Sequence, residues 1–390
     1  MHGIISRRDF IRDGTRIGAG AVLVPALPQL SIRTRSSRSI PSGPEDLRQL
    51  ERLVPELMSQ GAVPGASIAI IKNATVVWHR GFGVRDASSH APVDDDTVFE
   101  AASVSKTVFA YAIMQLVDRG TLSLDRPLTD YTSERVLEGD ARLNLITARH
   151  VLSHTSGFPN FRTRAEPLRI HFTPGERFEY SGEGYWYLQS IVTQLVGAVD
   201  RSKCGSYEAG LRVCATDIDN YLKRNVLIPL RMGTSSYLWN DTLERYSARP
   251  HDEAAKPLPL SRPTATDAAR YAAMGGLRTT ALDYANFLIE ILAPRAPAPF
   301  RLTSPTRQDM LRPHVKVDEA KSWALGWEIE RVPQGTLIEH EGGQTGFLAF
   351  AAAAVDRKSG YVIFTNSANG WKVFFNKQFV SLINRIILDE

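Results

Sequence analysis

"FEAASVSKTVFAYAIMQLVDRG", residues 99–120, sets Ser103 and Lys106 three positions apart at the start of an apolar helix. Its interior, "TVFAYAIMQLV", is apolar almost all round. The helix is therefore expected to be buried on every side, with Gly120 as its C-terminal stop. Three-residue spacing puts the serine and lysine on one face, about 5–6 Å apart at Cβ, within reach of each other. A serine becomes a nucleophile when a neighbour takes its proton, and a desolvated lysine can lose its own proton and serve as that neighbour. The first helical N–H groups lie beside Ser103, where an oxyanion would develop. Taken alone the pair is weak. About one such match arises by chance in a chain this long, and on the pair alone a helix cap beside a snorkelling lysine is the better account.

Upstream, "GASIAIIKNATVVWHRGFGVRD" (65–86) gives two β-branched runs around "KNA", the pattern of a hairpin. The middle of the chain, about 121–270, is loop-rich with helical patterns such as "YWYLQSIVTQLV" and no strong alternation. Strand signals return after Met274 in "SWALGWEIERV", "GTLIEHEGG", "GFLAFAAAAVD" and "GYVIFTNSA", separated by Gly or "DRKSG", which reads as an antiparallel meander. A closing pattern, "WKVFFNKQFVSLINRIIL", predicts one helix packed on the sheet. Strands at both ends with helices between them predict an α+β fold: one antiparallel sheet built from both chain ends, flanked by helices, with a mostly helical lobe inserted at about 121–270.

The 390 residues are 43% hydrophobic and 23% charged, the composition of a globular chain with room for a large core. The formal charge is +4, but residues 1–40 hold seven arginines and two aspartates, so residues 41–390 carry −1. A neutral body lacks the basic stripe that nucleic-acid binding needs, and no run of about 18 apolar residues predicts a membrane span. Arg7 and Arg8, then Phe10 and Ile11, then the Gly- and Ala-rich apolar run 17–27 resemble a twin-arginine export signal. Residues 1–44 are accordingly expected to be signal and linker, 45–390 the working domain, and the location periplasmic or secreted. Cys204 and Cys214, the only cysteines, are expected to close a short disulfide loop if the compartment is oxidising. Neither has the neighbours of a metal site, and no metal or organic cofactor is expected.

No G-x-S-x-G elbow, dinucleotide loop or phosphate loop occurs, and "HEGGQ" (340–344) has Gln344 where the metalloprotease pattern needs a second histidine. Ser103 is the only serine with lysine at the third following position. Its segment, then "ITARHVLSHTSGFPN" (146–160), "TPGERFEYSGEGYWYLQSIV" (173–192), "GGLRTTALDYANFL" (275–288) and "HEGGQTGFLAF" (340–350), stand in the order seen in the serine β-lactamase and penicillin-binding-protein-like family. The resemblance is to its class C and esterase side, over about 45–390.

The resemblance implies a β-lactamase-like fold with Ser103 as acylated nucleophile and Lys106 beside it. It implies that Tyr180 of "YSG" shares the proton transfer, as a phenolate favoured by the lysine cation. It places His340, Glu341 and Gly342 as the third motif lining the site, and the N–H groups of Ser103 and Gly343 as the oxyanion hole. Two departures stand out. Gly182 occupies the position where β-lactamases of this type carry an asparagine that contacts the substrate amide, and His340 the position of a lysine that contacts its carboxylate. A glycine offers no side-chain hydrogen bond and a histidine is a weaker, pH-dependent cation, so both changes point from penicillin hydrolysis toward ester, D-peptide or amide bonds. Glu183 is a candidate to replace the lost polar contact, and His154 a packed loop residue. The rival readings are a β-lactamase or D-Ala-D-Ala carboxypeptidase and, from another class, a non-catalytic binding protein on the same fold. Oligomeric state is not written in the residues.

Overall fold

Asn73 and Ala74 both adopt positive φ, 47° and 55°, and this tight turn folds strand β1 (Gly65–Lys72) back on β2 (Thr75–Asp86). In the computed structural model the described residues are 45–132, 135–163, 166–197, 207–294 and 298–388. The suspected export signal and Cys204 lie outside them, so the structure does not speak to either. Among the described residues no helix is long and apolar enough to cross a membrane.

Helix α1 (Glu45–Gly61) precedes the hairpin; short strands β3 (Ala91–Pro92) and β4 (Phe99–Glu100) lead to α2 (Ser105–Asp118). The lobe that follows carries α3 (Ala148–Leu152), α4 (Gly182–Val196), α5 (Tyr207–Leu222), α6 (Asp241–Tyr246) and α7 (Ala265–Gly275). Then come β5 (Arg278–Thr279), α8 (Ala281–Leu292), α9 (Ser304–Leu311), strands β6 (Val315–Lys316), β7 (Lys321–Trp323), β8 (Glu328–Val332), β9 (Gly335–Gln344), β10 (Phe347–Ala354) and β11 (Ser359–Thr365), and helices α10 (Trp371–Phe374) and α11 (Lys377–Leu388).

Among the described residues nine strands form one sheet in the order β3-β2-β1-β11-β10-β9-β8-β7-β6, with the paired neighbours antiparallel. The chain's first long strand is thus zipped to its last, from Ala66↔Thr365 to Ile71↔Gly360. Period-two alternation sorts β1 between two cores: Ala69 and Ile71 face α2 and α8, while Ile68 and Ile70 face α1 and α11. The fold is α+β, helices on an antiparallel sheet.

Two expected elements divide. "SWALGWEIERV" splits into β7 and β8 because Gly326 (φ 89°) turns the chain between them. The single closing helix becomes α10 and α11, because Asn376 accepts the Gln378 N–H at 2.9 Å and starts a new helix.

Helix α2 is buried without interruption from Ser105 to Leu116 and ends where Gly120 takes φ 69°. Its approach is a single 3-10 turn, Ala102–Val104, with Ala102 held at φ 45°. A positive φ at a non-glycine residue costs on the order of 1 kcal/mol. Strand β9 packs directly on this turn.

Candidate active site

Ser103 sits in that 3-10 turn at 1% exposure, and Lys106, one turn into α2, is fully buried at 0%. The surface-lysine alternative is thereby excluded, and no side-chain cap bond is made at the start of the turn or of α2. Lys106 Nζ reaches Ser103 Oγ at 3.1 Å and donates to the Met274 carbonyl, at the end of α7, at 2.6 Å. It stands 5.1 and 5.5 Å from the ring centres of Tyr180 and Tyr185. Burial without a carboxylate partner pulls the Lys106 ammonium down to about 7.

Tyr180 precedes α4. Ser181 caps that helix by accepting the Gly184 N–H at 2.9 Å, and ties it to the 154–162 loop by donating to the Pro159 carbonyl at 3.0 Å. The Ser181 N–H donates to His154 Nδ1 at 3.0 Å, and the buried His154 ring lies 4.2 Å, centre to centre, from Tyr180. Trp323 stands edge-on to both rings. Within this aromatic clamp burial raises the Tyr180 phenol well above its ordinary value, against the lowering effect of its hydrogen bond with Ser103. The resting group is therefore a neutral phenol. The expected phenolate is corrected because burial outweighs the charged neighbourhood, and Lys106 itself is partly neutral near pH 7.

Two-residue turns close β9 at both ends, pairing Val332 with Gly335 and Gln344 with Phe347. In an antiparallel ladder successive residues bond to opposite neighbours. Counted from either turn, the odd-numbered residues face β8 and the even-numbered face β10. Pairing with β8 stops at Glu339, so Glu341 and Gly343 direct their backbone groups to an open edge. A Cβ built on Gly342 would lie 2.5 Å from the Ala101 carbonyl oxygen and 2.9 Å from the Ser103 nitrogen. Only glycine lets β9 come this close to the serine turn. Ser103 N–H and Gly343 N–H thus border the same place.

His340, on β9, is 2% exposed. Its Nδ1 is 2.7 Å from the Glu341 carbonyl oxygen, which only accepts, so Nδ1 carries the proton. Nε2 is left as a bare acceptor, buried and without a partner among the described residues. Burial first, and then the Lys106 charge, pull this imidazole down to about 3. The pH-dependent cation expected at this position is a neutral acceptor instead. Gly182 stands at the first turn of α4; a Cβ there would meet the Asn160 carbonyl oxygen at 2.6 Å and Met274 Sδ at 3.4 Å. The neighbouring Glu183 turns away to Arg162, whose Nε and Nη2 both donate to its Oε2 (2.8 and 2.6 Å), and does not stand in for the missing asparagine.

Residues 50–384 match the family model described as Beta-lactamase. The chain belongs to the Beta-lactamase family. Within it, the chain is similar to the protein flp of Staphylococcus aureus (strain MRSA252), 24% identical over 52% of this chain and 40% of that one, and to esterase EstB of Burkholderia gladioli, 33% identical over 28% of each. These matches span less than half the length of either relative. Two solved structures share the fold. The octameric penicillin-binding protein homologue from Pyrococcus abyssi has a TM-score of 0.68 at 24% identity, over 83% of this chain and 74% of that one. The D-alanine carboxypeptidase AmpC from Burkholderia cenocepacia has 0.68 at 20%, over 88% and 98%.

The Beta-lactamase family is one of serine hydrolases. In this member the fold brings Ser103, Lys106, Tyr180, His340, Gly342, Gly343 and Gly182 together where α2, α4, α7 and β9 meet. It leaves His150 as the half-buried capping-box partner of Thr147 and His171 paired with Glu179 at 2.6 Å, away from the chemistry. Missed from sequence were the Met274 carbonyl and Asn160. A backbone acceptor carries no signature, and the asparagine lies 22 residues from the motif it touches. Among the described residues no His, Cys, Asp and Glu cluster has the makings of a metal site.

Proposed function

We propose that this protein is an exported serine hydrolase that cleaves ester or amide bonds through an acyl-enzyme on Ser103, in the manner of an esterase or D-peptidase. One observation carries the reading: a fully buried lysine amine, pulled down to about 7, lies 3.1 Å from the serine hydroxyl. With one N–H engaged by the Met274 carbonyl, neutral Lys106 keeps a lone pair for the Ser103 proton. As Oγ attacks the substrate carbonyl, the Ser103 and Gly343 N–H groups hold the oxyanion and the Tyr180 phenol protonates the leaving oxygen or nitrogen. The acyl-enzyme then faces a lysine cation and a phenolate. Water gives its proton to Tyr180 and its oxygen to the acyl carbon, and Lys106 returns the first proton to Ser103. Export rests on the order of paired arginines, aromatic residue and apolar run in residues 7–27.

Two features favour neutral substrates over β-lactams and cell-wall peptides ending in a carboxylate. The third motif offers the bare acceptor of His340 where a cation is needed, and position 182 has no side chain. Arg162, the cation of the adjoining loop, is committed to Glu183. Intact-protein mass spectrometry after brief exposure to a short-chain p-nitrophenyl ester tests this. Wild type is expected to gain the acyl mass and Ser103→Ala to gain none, with benzylpenicillin leaving both unchanged. A penicillin adduct or its turnover would establish the cell-wall reading instead, and no labelling or consumption of either reagent would make the protein a binding module.

A further inference from the structure

Ser105, the first residue of α2, is fully buried, and the proton transfers described above give its hydroxyl no task. Its bonds leave no choice in how that hydroxyl points. The Leu277 N–H donates to Ser105 Oγ at 3.0 Å, and Oγ lies 2.6 Å from the Ala102 carbonyl oxygen, which only accepts, so the hydroxyl proton is on that carbonyl. The Ser105 backbone N–H is directed to the same oxygen. Leu277 in turn accepts the Ala101 N–H on its own carbonyl at 2.9 Å. Both ends of the segment 101–105 are thus tied to one residue, just beyond Met274, whose carbonyl holds Lys106 Nζ.

The Ala102 carbonyl and the Ser103 N–H belong to one peptide unit. That unit is planar and trans, so the two groups point in opposite directions. The carbonyl is turned toward Ser105 and the end of α7, where a Cβ on Gly275 would lie 3.7 Å from its oxygen; the nitrogen faces β9, where a Cβ on Gly342 would lie 2.9 Å from it. The residue before the unit's C–N bond is at φ 45°, a conformation that persists only where the surroundings hold it. We infer that Ser105 is a positioning residue for the oxyanion hole: by holding the Ala102 carbonyl, its hydroxyl fixes the plane of the 102–103 peptide and aims the Ser103 N–H at the oxygen of the tetrahedral intermediate. The inference rests on the hydrolase reading above and adds to it a group that touches no substrate. A hydrogen bond accepted by the carbonyl also polarises its peptide, so the same contact strengthens the N–H as a donor.

The test compares p-nitrophenyl butyrate with its thiono analogue, in which sulfur, a weak acceptor, replaces the carbonyl oxygen. In Ser105→Ala, acylation and deacylation by the oxygen ester should both fall about tenfold or more, approaching the loss from deleting an oxyanion donor outright, while the thiono ester stays within about twofold of wild type. The rising limb of the rate near pH 7 is expected to stay in place, because Lys106 keeps its carbonyl partner. Ser105→Cys fills nearly the same space with a weak donor, so it should lose rate as the alanine variant does while melting close to wild type. A crystal structure of Ser105→Ala should show the 102–103 peptide rotated and Ala102 out of positive φ. Equal losses on the two esters, a displaced limb, a cysteine variant as active as wild type, or an unmoved peptide would overturn the assignment. A wild type that consumes neither ester and leaves Ser103 unlabelled would overturn the hydrolase reading itself, and the assignment with it.

Discussion

An ammonium group enclosed by Tyr180, Tyr185 and the α7 carbonyl of Met274 is costly to keep charged, and Lys106 has that position for the sake of its neighbour. Its folded value of about 7 lies below the ordinary 10.5. Between these limits the unfolded chain holds a proton that the folded one does not, so this group makes stability rise with pH from 7 to 10.5 and contributes no slope below 7. Lys106→Met is accordingly expected to melt higher than wild type at pH 6, with the gap closing as pH rises, while acylation by an activated ester falls about a thousandfold. In wild type the rate of Ser103 acylation should climb to a plateau through pH 7, followed by stopped-flow release of p-nitrophenol. A profile without that limb would assign the proton transfer elsewhere. The serine and lysine were legible because their segment stands in order with the other motifs of the family resemblance; the three-residue spacing alone left a cap beside a surface lysine as the better account. The protonation of Tyr180 and His340 was not, since it depends on how deeply distant segments bury them.

At the scale of elements, β9 is the part that aims the site. Its edge opens past Glu339, where pairing with β8 ends, and its contact with the 102–104 turn depends on Gly342. Gly342→Ala would push the strand off the Ala101 carbonyl and Ser103 nitrogen by several tenths of an ångström. Acylation is expected to fall by about a hundredfold, as small misplacements of reacting groups do, with Ser103, Lys106 and Tyr180 all intact. Crystallography of the variant and single-turnover kinetics check this together. The hairpin at Asn73–Ala74 and the β9–β11 meander were readable from β-branched runs and their punctuation. The break inside the last helix was hidden, because an Asn within an apolar pattern reads as a surface residue until its side chain is seen to cap. Glu183 misled for a related reason: adjacency in sequence to Gly182 placed it one step round α4, facing the Arg162 guanidinium.

For the whole molecule, acid is the expected weakness. His340 is held to about 3 and His154 well below its ordinary value, both by burial first and by the Lys106 charge second. The unfolded chain takes up protons at these imidazoles near pH 6.5, so the stability they contribute is complete above that and is lost as pH falls, for His340 down to about 3. His340 should cost about 1.4 kcal/mol per pH unit below 6.5, and His154 acts in the same direction. Melting temperatures measured from pH 7 to 4 are expected to drop steeply in wild type and less so in His340→Asn; parallel curves would place the acid lability elsewhere. The α+β architecture was legible as a whole because strands crowd both ends of the chain, although sequence gave no register for their meeting.

That meeting governs how the protein is made. Strand β1 leaves the ribosome early, yet its partner β11 is about 290 residues away, and α11, which covers the same face, is later still. The centre of the sheet cannot assemble while the chain is growing, and such long-range pairing is slow and leaves apolar edges uncovered meanwhile. A nascent chain of this protein is therefore a client for whatever shields unfolded segments until synthesis ends. A stop codon between Tyr180 and Ser359 should yield an insoluble product although Ser103, Lys106 and Tyr180 have all been translated.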